Sequence, residues 1–468
     1  MGMPERSEVL EGWASLAIQD VCDINPPKPK KGDVPDDTPV TFVPMPAVDA
    51  ERGKINSPEV RQFSKVRGGY TAFRDGDVII AKITPCMENG KAAVAHQLVN
   101  GLGFGSTEFF VLRSNGSMLP RYLFHYVRQK SFREQAESKM TGSVGQKRVP
   151  KEFVKNAVIP LPPLAEQHRI VAAIEALFAR LDAANARLER VPGILKQFRQ
   201  SVLATACDGR LTEDWRKSDQ DCYESSLIKC TVGEILAEKM VNGRSVRSKE
   251  NGFPVLRLSA VRDGRIDPAH RKNGAWTQEE ASNFLIRYGD FLVVRGNGSL
   301  ELVGRGGLVG YDPEPIAFPD TLIRIRLKRD IINAHWFSLV WNSPVTRKQI
   351  EKLAHTTAGI HKISQQDIAQ VSITVPSIEE QHEIVRRVDA LFTLADRIEA
   401  KVAAAREKTE TMRQSILAQA FSGRLVPTEA ELARQEGRAY EPASVLLERI
   451  RSEKKEKKGR KGVQSTLV

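Results

Sequence analysis

One long block of the sequence occurs twice, and this repeat constrains the fold more than any other feature. The residues Glu166–His168 recur as Glu380–His382, 214 positions further along. At the same offset, residues 164–211 and 378–425 are identical at 19 of 48 ungapped positions. Because an internal duplication of this length produces two related structural units, the chain is predicted to have two similar halves.

Each copy of the block carries a heptad pattern of apolar residues. Nine positions between Ile174 and Val202, in alternating steps of three and four, are all apolar, and eight of nine are apolar between Val388 and Ile416. Such a seam is typical of coiled-coil helices, each of about 40 residues and roughly 60 Å long. Two similar helices in one chain pack most simply about a pseudo-twofold axis, which makes them antiparallel. The pair is either a rigid spacer between domains or a coiled coil with a purely structural role.

Start and stop signals bound both helices. Prolines at positions 162 and 376 precede the repeated blocks, and Gly209 and Gly423 follow the apolar seams. Proline favours the start of a helix and glycine its end. Pro192 falls inside the first seam and predicts a kink there, whereas its counterpart Arg406 predicts an uninterrupted second helix.

The regions outside the seams contain short strand-like runs bounded by turns, such as Asp77–Ala81 and Phe291–Val294. The fold class predicted is therefore α+β, with two globular domains separated by a long antiparallel two-helix coiled coil. The predicted segments are a first domain (1–162), a first spacer helix (163–212), a second domain (213–376), a second spacer helix (377–426) and a C-terminal segment with a disordered basic tail (427–468).

Composition narrows the class of partner and the compartment. The 468 residues include 70 Lys and Arg against 58 Asp and Glu, a formal net charge of +12 that suits a polyanionic partner. The five cysteines, among them Cys222, form no C-x-x-C pair, which disfavours disulfides and zinc. The N-terminal residues have no apolar stretch of signal-peptide length, and no run is long enough to span a bilayer. We therefore expect a cytoplasmic protein that makes no contact with a membrane.

Polar and basic residues cluster where the predicted strands end and before each long helix. Arg, Lys, Asn and Gln on loops are the side chains that reach phosphates and base edges of DNA, although any one of them could equally lie on a solvated loop. The candidate DNA contacts are Lys82, Thr84, Ser143, Gln146, Lys147, Arg295, Asn297, His361 and Lys362.

Motifs for catalysis are mostly missing from the sequence. No G-x-x-x-x-G-K-[ST] loop and no H-E-x-x-H motif occur, and no metal or cofactor site is predicted. Asn25–Lys28 begins like the N-P-P-aromatic loop of amino-methyltransferases, but Lys28 replaces the aromatic residue. Two alternatives to a DNA-recognition protein remain open, namely a self-contained DNA methyltransferase and a coiled-coil scaffold that does not bind DNA.

The repeated motifs resemble the specificity subunits of type I restriction–modification systems, over almost the whole chain. The motifs that carry this resemblance are Val158–Val171 with Val371–Val385, Ser201–Leu211 with Ser415–Leu425, Thr141–Val149, and Pro442–Arg451. The resemblance implies a non-catalytic subunit whose two domains read the two halves of an asymmetric, interrupted double-stranded DNA sequence.

The resemblance also implies partners. Two adenine-N6 methyltransferase (M) subunits, which use S-adenosylmethionine, would dock on the helices, and ATP- and Mg²⁺-dependent translocase-endonuclease (R) subunits would join them. The helices would set the gap between the half-sites, and the protein would associate with the nucleoid through DNA. Residues proposed to bind the partner subunits, or alternatively to stabilise the helix starts, are Glu166, Gln167, Ile170, Glu380, Gln381 and Ile384.

Overall fold

The computed structural model describes residues 10–143, 145–218, 227–357 and 359–464. Residues 1–9, Cys222 and the last four residues of the predicted tail lie outside the described residues. The chain divides into two compact units. Unit 1 comprises Met1–Arg187 with Ala405–Val468, and unit 2 comprises Leu188–Ala404.

The first half of the chain contains ten strands and six helices among its described residues. The strands are β1 (Ala14–Ala17), β2 (Cys22–Ile24), β3 (Pro39–Val43), β4 (Glu59–Gln62), β5 (Thr71–Arg74), β6 (Val78–Ala81), β7 (Ala92–Val94), β8 (Leu102–Gly105), β9 (Phe109–Ser114) and β10 (Val158–Leu161). The helices are α1 (Ile18–Val21), α2 (Phe63–Val66), α3 (Pro120–Val127), α4 (Lys130–Ser138), α5 (Lys151–Asn156) and α6 (Leu164–Leu188).

The second half repeats this alternation of strands and helices. Its strands are β11 (Ile228–Thr231), β12 (Val241–Asn242), β13 (Ser248–Leu256), β14 (Val261–Arg262), β15 (Arg265–Ile266), β16 (Arg271–Gly274), β17 (Phe291–Val294), β18 (Gly296–Asn297), β19 (Gly306–Leu308), β20 (Leu322–Ile325), β21 (His355–Thr357), β22 (Ile360–Lys362) and β23 (Ser372–Val375). Its helices are α7 (Val191–Cys207), α8 (Glu213–Ser218), α9 (Gln278–Ala281), α10 (Ala334–Trp341), α11 (Pro344–Leu353), α12 (Gln365–Gln370) and α13 (Ile378–Phe421), followed by α14 (Glu429–Glu436) and α15 (Ala443–Gln464).

Unit 1 is built on two four-stranded sheets and one strand pair. One sheet is antiparallel in the order β2-β9-β6-β7, the other has the order β4-β3-β8-β5 with β3 and β8 parallel, and β1 pairs with β10. The four residues of β6 are all buried, because apolar residues cover both faces of this central strand. The main core includes Tyr122 and Phe124 of α3 and extends to Ile170 and Ile174 of α6 and Phe421 of α13.

Unit 2 has the same central sheet order as unit 1, with β12-β20-β17-β19 in place of β2-β9-β6-β7, and its other strands are arranged differently. Its largest sheet has the order β12-β20-β17-β19-β15-β14, and smaller sheets are formed by β13-β16, β18-β22-β21 and β11-β23. The pairs β1–β10 and β11–β23 are related by the offset of 214, since Ala14 pairs with Leu161 and Ile228 with Val375. The α+β class with two related domains is therefore confirmed.

A buried ion pair recurs in the two units. Asp77 is 1% exposed and accepts two hydrogen bonds from Arg113, of 2.8 and 2.7 Å. Asp290, also 1% exposed, accepts hydrogen bonds of 2.7 and 3.2 Å from Arg326. Each aspartate lies one residue before β6 or β17, so each carboxylate is neutralised at the start of the central strand of its sheet.

The long helices pack antiparallel within each unit. In unit 1, Arg413 of α13 forms an ion pair with Asp182 of α6, and Ile170 earlier in α6 shares a core with Phe421 later in α13. In unit 2, Arg199 of α7 donates a hydrogen bond of 2.6 Å to Asp396 of α13. The antiparallel helix pair is therefore confirmed within each unit.

The predicted interruption of the first long helix is confirmed. Helix α6 ends at Leu188 and α7 begins at Val191, which places Pro192 in the first turn of α7. Helix α13 continues without a break past Arg406. The difference follows from proline, which cannot donate the backbone hydrogen bond that the interior of a helix needs.

The C-terminal segment differs from the disordered tail that the sequence predicted. Helix α15 extends to Gln464, because the Lys, Arg and Glu residues in this segment are good helix formers. No described helix is long and apolar enough to cross a membrane.

Candidate nucleic-acid interface

The candidate DNA contacts of unit 1 meet where β6 ends. The Lys82 amide donates to Glu108 O (2.9 Å), and Val149 N donates to Lys82 O (2.8 Å). The Thr84 amide donates to Lys147 O (3.0 Å), so the chain after β6 runs beside the loop that precedes α5. These backbone bonds bring the predicted residues Lys82, Thr84 and Lys147 together.

Exposed and partnered side chains alternate in this part of unit 1. Ser143, Gln146 and Lys147 are exposed, and a turn closed by a bond of 3.0 Å from Gln146 N to Ser143 O presents them. The Thr84 hydroxyl instead donates to Glu88 (2.9 Å), and the Lys82 ammonium lies 5.6 Å from the centre of the Phe110 ring. The groups open to a ligand are therefore mainly those of the turn, together with the half-buried Lys82 ammonium.

An ion pair holds the turn against the sheet. Arg148 donates from Nε and Nη2 to the Glu108 carboxylate at 2.8–3.1 Å. The hydrogen bond from Arg148 lowers the pKa of Glu108, so the carboxylate stays ionised. No local pattern identifies Glu108 as the partner of Arg148, because the two residues become adjacent only when the turn folds against the start of β9.

The candidate contacts of unit 2 meet at the end of β17. The Arg295 amide donates to Thr321 O (2.8 Å) and Ile363 N donates to Arg295 O (2.9 Å). Asn297 pairs with His361 in the small sheet of β18 and β22. Arg295 and Lys362 are exposed, and neither side chain has a hydrogen-bonding partner among the described residues.

The two clusters occupy the same structural position. Val149 N bonds to Lys82 O in unit 1 and Ile363 N to Arg295 O in unit 2. By the same correspondence Thr84 matches Asn297, Lys147 matches His361, and Arg148 matches Lys362. The scaffold is thus repeated while the side chains at its tip differ between the units.

The residues predicted to bind partner subunits are buried inside the chain. Glu166, Gln167, Glu380 and Gln381 are 0% exposed, and Ile170 and Ile384 are 1% exposed. In the chain alone these side chains form no accessible surface, and their binding to partner subunits stays a prediction. Stabilisation of the helix starts, the other interpretation, matches the contacts they make.

Each glutamate is held by a segment that follows the other long helix. In unit 1, Glu166 accepts hydrogen bonds from Trp13 Nε1 (3.0 Å) and from the backbone of Glu429 (2.8 Å). In unit 2, Glu380 accepts hydrogen bonds from Thr212 (2.6 Å) and Arg216 (2.9 Å). Burial raises the pKa of Glu166, and the two donors oppose that rise.

The asparagine of the possible methyltransferase loop has a structural role. Asn25 N donates to Val111 O (2.8 Å), and its side-chain oxygen accepts a bond of 2.9 Å from Val111 N. The amide oxygen that would hold a flipped adenine is therefore engaged by β9. No group of three or more potential metal ligands occurs within the described ranges.

Two related α+β units, each with an exposed basic cluster at the end of a central strand and each tied to an antiparallel helix pair, define a nucleic-acid-binding protein with two readers. The chain belongs to the family of type I restriction modification DNA specificity domains, whose model matches residues 10–192 and 232–405.

Related proteins are specificity subunits of type I restriction enzymes. The chain is 34% identical over 362 residues to the type I restriction enzyme EcoKI specificity subunit of Escherichia coli (strain K12). This alignment covers 75% of this chain and 75% of the relative. It is 27% identical over 485 residues to the EcoEI specificity subunit of Escherichia coli, covering 86% of this chain and 81% of the relative. The predicted identity as a DNA-recognition subunit rather than an enzyme is confirmed.

Solved structures share the fold. A chain from a study of complex assembly and conformational transition of the type I R-M system aligns with a TM-score of 0.67 and 24% identity, covering 90% of this chain and 100% of that chain. The HsdS subunit from Thermoanaerobacter tengcongensis aligns with a TM-score of 0.59 and 22% identity, covering 90% and 99%.

Proposed function

We propose that each unit reads one half of an asymmetric, interrupted DNA sequence. The observation that carries this proposal is the equivalence of the two clusters: the same scaffold presents Lys82, Thr84 and Lys147 in unit 1 but Arg295, Asn297 and His361 in unit 2. Different donors and acceptors at one structural position recognise different base edges. Two unequal half-sites follow from two unequal sets of side chains.

Arg295 and Asn297 are the strongest candidates for base contacts in unit 2. Arginine recognises guanine through two hydrogen bonds, and asparagine recognises adenine in the same way. The Asn297 side-chain oxygen accepts a bond of 2.9 Å from Ser299 N, which orients the amide. Lys362, Lys147 and the turn with Ser143 and Gln146 contribute phosphate or base contacts beside them.

The subunit acts with partners that supply the chemistry. Two methyltransferase subunits that use S-adenosylmethionine would methylate adenine N6 in the two half-sites, and restriction subunits that use ATP and Mg²⁺ would cleave DNA. The two domains (1–162 and 213–376), the spacer helices (163–212 and 377–426) and the C-terminal segment (427–468) are the segments of this proposal. The site of action would be chromosomal and incoming DNA in the cytoplasm.

Genome-wide mapping of N6-methyladenine tests the proposal, with the gene present, deleted and restored. We expect a bipartite motif that is methylated only when the gene is present. A second strain carrying Arg295→Ala and Asn297→Ala should lose methylation or show a relaxed sequence in one half of the motif while the other half stays unchanged. An unchanged methylome after deletion, or a relaxed sequence in both halves of the motif in a folded variant, would contradict the assignment of one half-site to each unit.

A further inference from the structure

Two exposed basic loops follow equivalent strands in the two units. In unit 1 the loop of residues 28–33 follows β2 and contains Lys28, Lys30 and Lys31 with one acidic residue, Asp33. In unit 2 residues 244–250, the last three of which begin β13, follow β12 and contain three basic residues, Arg244, Arg247 and Lys249, with one acidic residue, Glu250. We call these segments basic loop 1 and basic loop 2. All six basic side chains are exposed.

Basic loop 2 starts beside the candidate base contacts. Gly243 N donates to Leu322 O (3.0 Å), and Arg295 N donates to Thr321 O (2.8 Å). Gly243 and Arg295 therefore lie on opposite sides of the chain at the start of β20, bonded to two consecutive residues. Two strand spacings separate them, which is about 10 Å. Arg244 follows directly. A side chain at position 243 could not be accommodated, because its Cβ would lie 2.0 Å from Pro319 O.

Basic loop 1 leaves its sheet toward the same end as Lys82. Strands β2 and β6 both pair antiparallel with β9, so they run parallel to each other and point to the same end of the sheet. Lys82 lies at that end of β6 and basic loop 1 follows that end of β2. The two units differ in register, however: the chain leaves β9 at Asn25, which is level with Ile79 and three residues before Lys82, whereas Gly243 is level with Val294, one residue before Arg295.

Hydrogen bonds hold the backbones of the basic loops, whereas the ammonium and guanidinium groups of these loops form no ion pairs among the described residues. Asp33 accepts a bond of 2.7 Å from Lys30 N in basic loop 1. In basic loop 2, Arg247 O accepts from Ala275 N (2.9 Å) and Val246 O accepts from the Lys272 ammonium (2.7 Å). Within the described ranges none of the six basic side chains has an ion-pair partner, whereas Arg148, Arg199, Arg326 and Arg387 are all paired.

We propose that basic loops 1 and 2 bind the phosphates that border the DNA groove read by the adjacent cluster, without contributing to sequence preference. The major groove is about 12 Å wide, so a group about 10 Å from a base-reading side chain reaches the flanking sugar-phosphate strand. Unpaired Lys and Arg side chains on an anchored backbone suit phosphate, and phosphate contacts position a protein without reading sequence. This inference rests on the proposed function, because it assumes that Lys82 and Arg295 face DNA.

The test measures binding of the full-length chain to two fluorescent duplexes by anisotropy between about 50 and 300 mM salt, a sixfold range. One duplex carries the motif found by methylome mapping and the other has both halves scrambled. The first variant combines Lys28→Gln, Lys30→Gln and Lys31→Gln, and the second combines Arg244→Gln, Arg247→Gln and Lys249→Gln. Matched controls preserve charge, with Lys→Arg in basic loop 1 and with Arg→Lys and Lys→Arg in basic loop 2. Thermal melting establishes that each variant is folded.

We expect each Gln variant to weaken binding to both duplexes by the same factor, about tenfold or more at low salt. The slope of log affinity against log salt should become shallower by about 2 to 3, because each lost phosphate contact removes about 0.9. The charge-preserving controls should behave as the unmodified chain. An unchanged slope would overturn the proposal, and so would loss of binding to the motif duplex alone.

The same experiment separates the two proposals. Suppose that the unmodified chain binds both duplexes equally and that the Gln variants still reduce the salt slope. Phosphate binding by the basic loops is then supported, and the proposal that this chain reads sequence is contradicted. If the unmodified chain prefers the motif duplex and the Gln variants change neither affinity nor salt slope, the proposal that this chain reads sequence is supported. The basic loops are then not DNA contacts.

Discussion

Gln167 and Gln381 make the same three hydrogen bonds in their respective units. Gln167 accepts from Leu119 N (2.8 Å) and donates to Ser117 O (2.9 Å) and Pro162 O (3.0 Å). Gln381 repeats these bonds, at 2.7–2.9 Å, with the residues 214 positions later: Asn333 N, Ile331 O and Pro376 O. Each glutamine ties the start of a long helix to the loop before α3 or α10. The repeated Glu-Gln-His motif therefore joins the domain to its helix.

Gln381→Ala should destabilise unit 2 by about 3 kcal/mol, because it removes one buried and two half-buried hydrogen bonds to backbone groups, and an unpaired buried group costs roughly 1–3 kcal/mol. The measurement is hydrogen exchange of peptides from unit 2, with urea unfolding of the whole chain beside it. His382→Ala alters the next, exposed residue and should cost less, since it removes only a bond of 3.2 Å to Asn333. Equal effects of the two substitutions would contradict the role of Gln381.

Arg347→Ala should loosen the loop that carries Asn297 and Ser299. Arg347 of α11 donates hydrogen bonds to Leu300 O (2.5 Å) and Val303 O, and the equivalent Arg133 of α4 donates to Glu88 O (2.7 Å). A hydrogen bond to a charged group contributes about 1.5–3 kcal/mol. We expect faster hydrogen exchange in residues 296–304 and weaker binding of one DNA half-site. Lys348→Ala, at an exposed neighbour, is the control and should leave both unchanged.

His125 should make the stability of unit 1 depend on pH. The ring is 3% exposed, and neither ring nitrogen has a hydrogen-bonding partner in the described structure. Burial lowers the pKa of His125, although Glu175 Oε1, 3.8 Å from Nε2, opposes the shift. The unfolded state therefore binds more protons, and stability falls as pH drops below the usual pKa of 6.5 toward the lower pKa of the folded state.

The repeat supplies the matched variant for this pH effect. Position 125 corresponds to Leu339 in unit 2, so His125→Leu places an apolar residue of similar size at a site where the fold already accepts it. Thermal melting of the variant should show a smaller loss of stability between about pH 7 and pH 5, a range that includes the usual histidine pKa, than the unmodified chain. Identical pH profiles of the two proteins would exclude His125 as the cause.

Arg295→Ala should distinguish base reading from phosphate binding in unit 2. If Arg295 reads a base, binding to DNA with the correct half-site weakens by about 1–3 kcal/mol and the sequence preference at that position relaxes. If it contacts phosphate, affinity falls equally for motif and scrambled duplexes. Unchanged binding to both duplexes would remove Arg295 from the interface. Arg329→Ala provides a comparison, since that guanidinium is engaged by Tyr288.

Local sequence patterns were sufficient for the helices, the repeat and the family. The heptad seam and the block shared by residues 164–211 and 378–425 depend only on neighbouring side chains and spacing, so they are readable without coordinates. Pro192 likewise acts on its own helix, and the break between α6 and α7 lies where it predicts. The clusters at Lys82 and Arg295 were also located, because strand ends are marked by local composition.

Contacts between distant parts of the chain were decided only by the tertiary structure. Glu166 meets Trp13 and Glu429, which are 153 and 263 positions away, so no local pattern could show that its side chain is buried rather than open to a partner. The position of basic loop 2 near Arg295 likewise depends on strands paired across the sheet, which no local pattern shows. Sequence periodicity shows which face of a helix or strand is apolar. Which residues that face contacts depends on the fold of the whole chain, because the contacting residues are far apart in the sequence.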